Sequence, residues 1–274
     1  MMGTLYVVGT PIGNLEDISL RALRILRQVD LIAAEDTRTT RKLLAHYHIE
    51  TPLTSYWEHN KMEKLGALLG ALRDKDVALV SEAGMPGLSD PGYELIRAAI
   101  ESGIPIVPIP GPSALTAALV VSGLSTDSFL YLGFLPRRSG KRRQFLASVA
   151  REERTIVAFE APHRLLASLA DIKSVLGERR IVVARELTKL HEEVWRGSIG
   201  EALAYFGEKG PRGEFTLVIE GAQEEPPWDE GKVREVLEEF MAEGIGKKEA
   251  IKAVADLAGW PKREVYKVAL KGQM

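Results

Sequence analysis

Residues 7–18 read VVGTPIGNLEDI, a β-branched run that breaks at Gly9 and meets a second glycine at Gly13. A strand-like run that ends on glycine and leads into a helical pattern opens a βα unit, and it poses a choice of ligand chemistry. The dinucleotide fingerprint spaces three glycines as G-x-G-x-x-G so that the backbone turns, approaches a pyrophosphate and packs a helix against the strand. Thr10, Pro11 and Ile12 fill the centre of that pattern here. Pro11 carries no amide hydrogen and fixes its own φ, so it withdraws a donor that a phosphate needs. The fingerprint therefore fails at its chemical centre. One counter-signal stands: LIAAEDT (31–37) places Glu35 and Asp36 about where a ribose-binding carboxylate is expected, which keeps a nicotinamide enzyme as an alternative.

Outward from this stretch, strand-like and helix-like segments alternate up to about residue 112. LYVVG, DLIAAE, DVALVSEAG and IPIVPIPG are β-rich, whereas DISLRALRILRQV, MEKLGALLGALRD and PGYELIRAAIESG repeat apolar residues at helical spacing. This is the pattern of parallel strands joined by crossover helices. The third helix is bounded clearly, with Asp90 as N-cap, Pro91 in the first turn and Gly103 past the end. Between about 113 and 224 the strands are FLYLGF, TIVAFE, RIVVARE, EEVWRG and EFTLVIEG, and the third and fourth follow one another directly, which predicts a mixed sheet. Ser198 to Glu201 is a capping-box pattern. The expected fold class is thus two α/β domains, residues 1–112 with a parallel sheet and residues 113–224 with a mixed one. The acidic, proline-containing stretch AQEEPPWDEG (222–231) reads as a linker. A small helical extension over 229–274 follows, in which Gly259-Trp260-Pro261 joins the last two of three helices as in a helix-turn-helix. From Lys247 onward seven Lys/Arg stand against three Asp/Glu, so either a plain bundle or a nucleic-acid-binding tail fits.

Composition narrows the function. The chain has 274 residues, a formal net charge of -2 and no cysteine, which removes disulfide, thiolate and Cys-zinc chemistry and argues against a surface that coats nucleic acid as a whole. The apolar runs are strand-length, so no membrane span is expected, and Met1 leads straight into a strand-like run without a signal-peptide pattern, so a cytoplasmic setting is expected. His46, His48, His59, His163 and His191 lack a ligand spacing, and no metal is implied. Any nucleic-acid contact must be local. PRRSGKRR (136–143) supplies one candidate: Arg137, Arg138, Lys141, Arg142 and Arg143 in a predicted exposed loop, with no intervening acid.

Two further loops point to a pocket. SEAGMPGLSDPG (81–92) and PIPGPSA (108–114) each follow a strand and are rich in glycine and proline, so their backbone groups are accessible at the carboxyl edge of the sheet, where open α/β sheets bind ligands. Together with TPIGNL (10–15), AEDTR (34–38), GFLP (133–136), EAPHR (160–164) and RELTK (185–189), they form an ordered set. That set closely resembles the small-subunit ribosomal RNA methyltransferase I family of the tetrapyrrole-methylase-like superfamily, over the chain up to about residue 220.

The resemblance implies a cleft between two α/β domains that holds S-adenosylmethionine, and methylation of a cytidine 2′-hydroxyl in the decoding region of small-subunit (16S) ribosomal RNA. It implies cofactor contacts at Ile12, Met85, Pro86, Leu88, Ser113, Ala114, Phe159, Glu160, Arg185, Glu186, Leu187, Phe215 and Thr216. Many relatives carry an acid where Met85 stands. TPIGNL would form a cleft wall, with Thr10 and Asn14 toward the acceptor. Superfamily members are commonly dimers, so a homodimer is expected. A sulfonium methyl is already activated, so the protein must align a ribose oxygen and take its proton. Glu35, Asp36 and Glu186 are candidates for that base, with Arg38, His163, Arg164 and Arg185 holding phosphates or orienting carboxylates; an arginine–carboxylate lattice tying the domains together is the structural alternative. A tetrapyrrole acceptor and a non-enzymatic RNA-binding protein remain the competing readings.

Overall fold

A computed structural model describes residues 2–223 and 228–271; of the expected linker, residues 224–227 lie outside the described residues. Residues Met1–Ala222 form one compact unit and Gln223–Met274 another.

The first unit holds two five-stranded sheets. One is built from β1 (Leu5–Val8), β2 (Leu31–Ala34), β3 (Leu53–Ser55), β4 (Val77–Val80) and β5 (Ile106–Ile109), ordered β3-β2-β4-β1-β5 and parallel throughout. Its crossover helices are α1 (Leu20–Gln28), α2 (Thr37–His46), α3 (Lys61–Ala71) and α4 (Gly92–Glu101). Successive residues of β4 serve opposite faces: Ala78 and Val80 pack toward α1 and α2, whereas Val77 and Leu79 pack toward α3 and α4. Both faces are covered, which is why VALV is apolar without alternation.

The other sheet is built from β6 (Phe129–Phe134), β7 (Thr155–Glu160), β8 (Arg180–Arg185), β9 (Glu193–Ser198) and β10 (Phe215–Ile219), ordered β6-β7-β10-β8-β9. Only β6 and β7 pair in parallel; the remaining pairs are antiparallel, so the sheet is mixed as the adjacent strand pattern predicts. Helices α6 (Ser139–Ser148), α7 (Leu165–Leu176) and α8 (Ile199–Lys209) cover one face, and α5 (Ala114–Ser122) packs on the other. The capping box of α8 is present, with both Ser198 and Glu201 making their reciprocal bonds.

Several local expectations change. The PRRSGKRR run is not a loop throughout, because α6 begins at Ser139. Asn14, expected toward the acceptor, caps a short 3-10 turn (Leu15–Asp17), and Ser19 caps α1. Helix α2 and the short β3 lack a strong pattern of their own. In the second unit α9 (Glu230–Ala242), α10 (Lys247–Ala258) and α11 (Lys262–Lys271) share a core of Val233, Val236, Leu237, Ala250, Ile251, Val254, Val265 and Val268, and Gly259 turns left-handed at φ 66 to end α10.

Gly9 explains the opening stretch. A Cβ placed there would lie 2.8 Å from Gly111 Cα and 2.6 Å from Met85 Sδ, so this glycine lets the ends of β1 and β5 approach each other. Its neighbour Thr10 exchanges two backbone hydrogen bonds with Gly84, at 2.9 and 3.1 Å, tying the same turn to the loop after β4. The glycine serves backbone packing rather than a phosphate. A Gly9→Ala protein should lose about 1–3 kcal/mol of stability through overpacking, read by chemical denaturation, and should bind the cleft's ligand more weakly.

Candidate active site

Four loops at the carboxyl edge of the parallel sheet, following β1, β2, β4 and β5, face the mixed sheet across a cavity of about 380 Å³. The first sheet's side contributes Ile12, Glu35, Ser81 to Met85 and Leu88 to Asp90; Ser113 to Leu115 begin α5; the mixed sheet contributes Tyr131, Phe134, Phe159 to Pro162, Ala184, Leu187 and Glu214 to Thr216. A volume of this size suits a small-molecule ligand, and pockets at the strand ends of open α/β sheets hold them.

Carboxylates give the cavity its charge. Glu35 is half-buried, accepts a hydrogen bond from the Glu82 N–H at 3.0 Å, and has its pKa raised, first by burial and then by the charges of Asp90, Glu82 and Asp36. Asp90 accepts from the amides of Gly87 and Gly92, each at 2.8 Å, which folds the loop before α4; burial raises its pKa in turn. Glu160 is buried at 1% exposure and committed to Arg164 at 2.6 Å, to the Ala161 N–H at 2.7 Å and to the Ser168 hydroxyl.

Of the residues expected to contact a cofactor, Ile12, Met85, Leu88, Ser113, Ala114, Phe159, Glu160, Leu187, Phe215 and Thr216 line the cavity. Pro86, Arg185 and Glu186 do not. Pro86 is buried in its loop, and Arg185 is spent on the Arg212 carbonyl at 2.7 Å and on Glu193 at 3.2 Å. Glu186 sits in the left-handed region at φ 49; burial works to raise its pKa, but Lys189 at 3.0 Å and the Glu214 N–H at 2.9 Å outweigh it and the net shift is downward. That carboxylate belongs to a lattice and is poorly suited to take a proton. Asp36 fares no better as a base: it caps α2, accepts from Arg38, and its pKa is held down to about 2 chiefly by the Arg38 side chain. Glu35 alone of the three candidates lines the cavity.

The residues expected to meet RNA divide as well. Thr10 is 3% exposed and is an internal tie, so it cannot reach an acceptor. Asn14 is exposed but uses its side chain to cap the Leu15–Asp17 turn. Arg164 donates to the Leu135 carbonyl and to Glu160, so it braces the wall and leaves no free fork for a phosphate. Arg142 is 2% exposed and clamps Asp171 at 2.5 Å together with the carbonyls of Pro136, Arg137 and Ala167. Arg137, Arg138, Lys141, Arg143, Arg38 and His163 are exposed. Arg142 and the buried Leu146 lie one turn apart on the same face of α6, a placement that reading 136–143 as a loop did not anticipate.

Comparison with known proteins gives this geometry a family. Residues 4–203 match the tetrapyrrole (corrin/porphyrin) methylases. The chain belongs to that family. It is 50% identical over 274 residues to the ribosomal RNA small subunit methyltransferase I of Synechocystis sp., covering 98% of either chain, and 45% identical to the one from Bacillus subtilis, covering 97% of this chain and 93% of that one. Its place is therefore in the ribosomal RNA small subunit methyltransferase I branch. The Thermotoga maritima relative, 51% identical, matches over its whole length yet covers only 81% of this chain. Among solved structures the fold is shared with a cobalt precorrin-4 methyltransferase (TM-score 0.62, 19% identity, 79% of this chain and 94% of that one). It is shared also with a uroporphyrin III C-methyltransferase from Thermus thermophilus (TM-score 0.59, 19% identity, 80% of this chain and 97% of that one). Membership of this methyltransferase family decides the opening choice against a nicotinamide enzyme.

A methyltransferase of this family implies a methyl donor of the S-adenosylmethionine type, and the cavity's chemistry fits one. Apolar walls from Ile12, Met85, Phe159 and Leu187 suit an adenosine, the Glu35 carboxylate complements positive charge, and Ala114 and Leu115, in the first turn of α5 where amides lack a helical partner, line the same cavity.

Two substitutions separate structural from functional charge. Arg142→Ala should destabilise the fold by about 3 kcal/mol, the cost of leaving a buried partner charge unpaired, whereas replacing Arg137, Arg138 and Lys141 together should leave the melting curve in place and weaken RNA binding. Asp36→Ala should cost about 1 kcal/mol as a lost helix cap, seen by denaturation; its stability contribution is present above the ordinary carboxylate range and is lost as pH falls toward about 2.

Proposed function

We propose that this chain transfers a methyl group from S-adenosylmethionine to the 2′-hydroxyl of a cytidine in the decoding region of small-subunit ribosomal RNA. The carrying observation is full-length kinship with ribosomal RNA methyltransferases, joined to exposed Arg137, Arg138, Lys141 and Arg143 where β6, whose Phe134 lines the cavity, leads into α6. Such a cluster neutralises phosphates and holds an RNA strand without reading its sequence. A porphyrin acceptor gives these cations no task. Homodimerisation, the division into domains at 1–112, 113–224 and 229–274, and a cytoplasmic setting belong to the same reading.

When bound, the donor supplies a methyl already activated on a sulfonium. The chain's residues then have three tasks. The loops after β1, β4 and β5 hold the donor by main chain and apolar contact. The basic start of α6 positions the RNA. Glu35 takes the proton of the ribose hydroxyl as that oxygen forms its bond to carbon and the thioether leaves, so charge balances within the cleft. Half-burial suits Glu35 to this work, since a raised pKa makes it a stronger base than an ordinary carboxylate.

Glu35 acts only when ionised, so the methylation rate should rise with pH through an acid limb whose midpoint lies above 4.5. Glu35→Gln should abolish that limb and lower kcat roughly a hundredfold or more, while calorimetry still detects donor binding. Full-speed methylation by this variant would remove Glu35 from the mechanism. Mapping ribose methylation in small-subunit ribosomal RNA treated with the protein tests the assignment as a whole.

A further inference from the structure

Phe134 is 55% exposed, yet it lines the cavity. Its placement depends on an irregularity in β6. Between Tyr131, paired with Val157, and Phe134, paired with Phe159, β6 advances three residues while β7 advances two. A regular strand would put Phe134 on the face of Leu132, which packs into the core under α6, α7 and α8. The extra residue turns it over to the face of Tyr131 and Phe159. Gly133, left-handed at φ 65, carries the bulge; a Cβ there would stand 3.0 Å from Ser89 Oγ. The result is an aromatic cluster at the cavity, with Phe159 5.4 Å from Tyr131 and 5.6 Å from Phe134 between ring centroids.

The opposite lobe meets this cluster. Ser89 Oγ lies 2.8 Å from the Tyr131 hydroxyl, and the adjoining Leu88, 47% exposed, lines the same cavity. Phe134 is followed within a few residues by Arg137, Arg138 and Lys141, all exposed. An exposed ring at a cavity, with free cations next to it along the chain, is the combination that holds an unstacked nucleotide: the ring takes the base and the cations take the phosphates.

We infer that Phe134 is the stacking platform for the nucleobase of the acceptor, so that the bulge in β6 is a substrate-positioning device. The inference rests on the RNA methyltransferase reading. It assigns Phe134 to the acceptor and the buried part of the cavity, around Ile12, Ala114 and Thr216, to the donor.

The test uses the full chain with S-adenosylmethionine and unmethylated small-subunit ribosomal RNA. Phe134→Ala should raise the KM for RNA about tenfold or more, the loss expected for one stacked base, with donor affinity by calorimetry unchanged; Phe134→Tyr and Phe134→Trp should restore it. Being exposed, the side chain can be removed without unfolding the protein, and melting curves check this. An RNA fragment carrying 2-aminopurine at the acceptor position gives a readout independent of turnover: its fluorescence should fall on binding the wild-type chain and fall less with Phe134→Ala. Unchanged RNA KM and fluorescence in Phe134→Ala, weakened donor binding, or a shift in oligomeric state as the sole effect would each overturn the assignment. Wild-type protein that quenches the probe without methylating would sink the functional reading and leave the stacking site standing; protein that neither quenches nor methylates would remove both.

Discussion

The close approach of backbone at the carboxyl ends of β1 and β5 sets the geometry on which the cavity depends. Gly9 and Gly111 leave no room for a side chain between them, and Thr10 locks the same turn to Gly84 through paired backbone hydrogen bonds. Three loops from separate strands are thereby held as one wall, with Ile12 and Met85 presented to the cavity. Because these ties are made by main chain, they leave little for side-chain identity to specify, and the site's chemistry is free to reside in a few inserted carboxylates.

Those carboxylates occupy sharply different electrostatic settings although two of them are adjacent in sequence. Asp36 caps a helix and is held ionised by Arg38, whereas Glu35 turns into the cavity, where burial and neighbouring acids favour its protonated form. Burial also sorts the basic residues. Arg142 and Arg164 face inward and brace α6, α7 and the wall around Glu160, while Arg137, Arg138 and Lys141 stay in solvent. The outcome is a cavity lined by acids and by no Lys or Arg, with exposed cations only a few residues along the chain from its lining residue Phe134.

The helical unit stands apart in its chemistry. It has its own apolar core, and a relative matching over its full length leaves a share of this chain unmatched that equals what Gln223–Met274 makes up.

Much was legible in the sequence because the information is local. Apolar patterning placed nine of the ten strands and helices α1, α3 and α4, and a capping box marked α8, whereas β3, α2, α5, α6 and α7 went unread; the missing glycine and Pro11 counted against a phosphate turn; and the glycine-rich segments after β4 and β5 marked the sheet edge that carries the cavity. What a side chain faces is decided by contacts distant in sequence, and there the reading fell short. Thr10 belongs to Gly84, Arg164 to Leu135, Arg142 to Asp171 and Glu186 to Glu214, none of which spacing reveals. The bulge at Gly133 is the sharpest case: FLYLGF reads as an unbroken strand, and only pairing with β7 shows that one surplus residue carries Phe134 from the core face to the cavity.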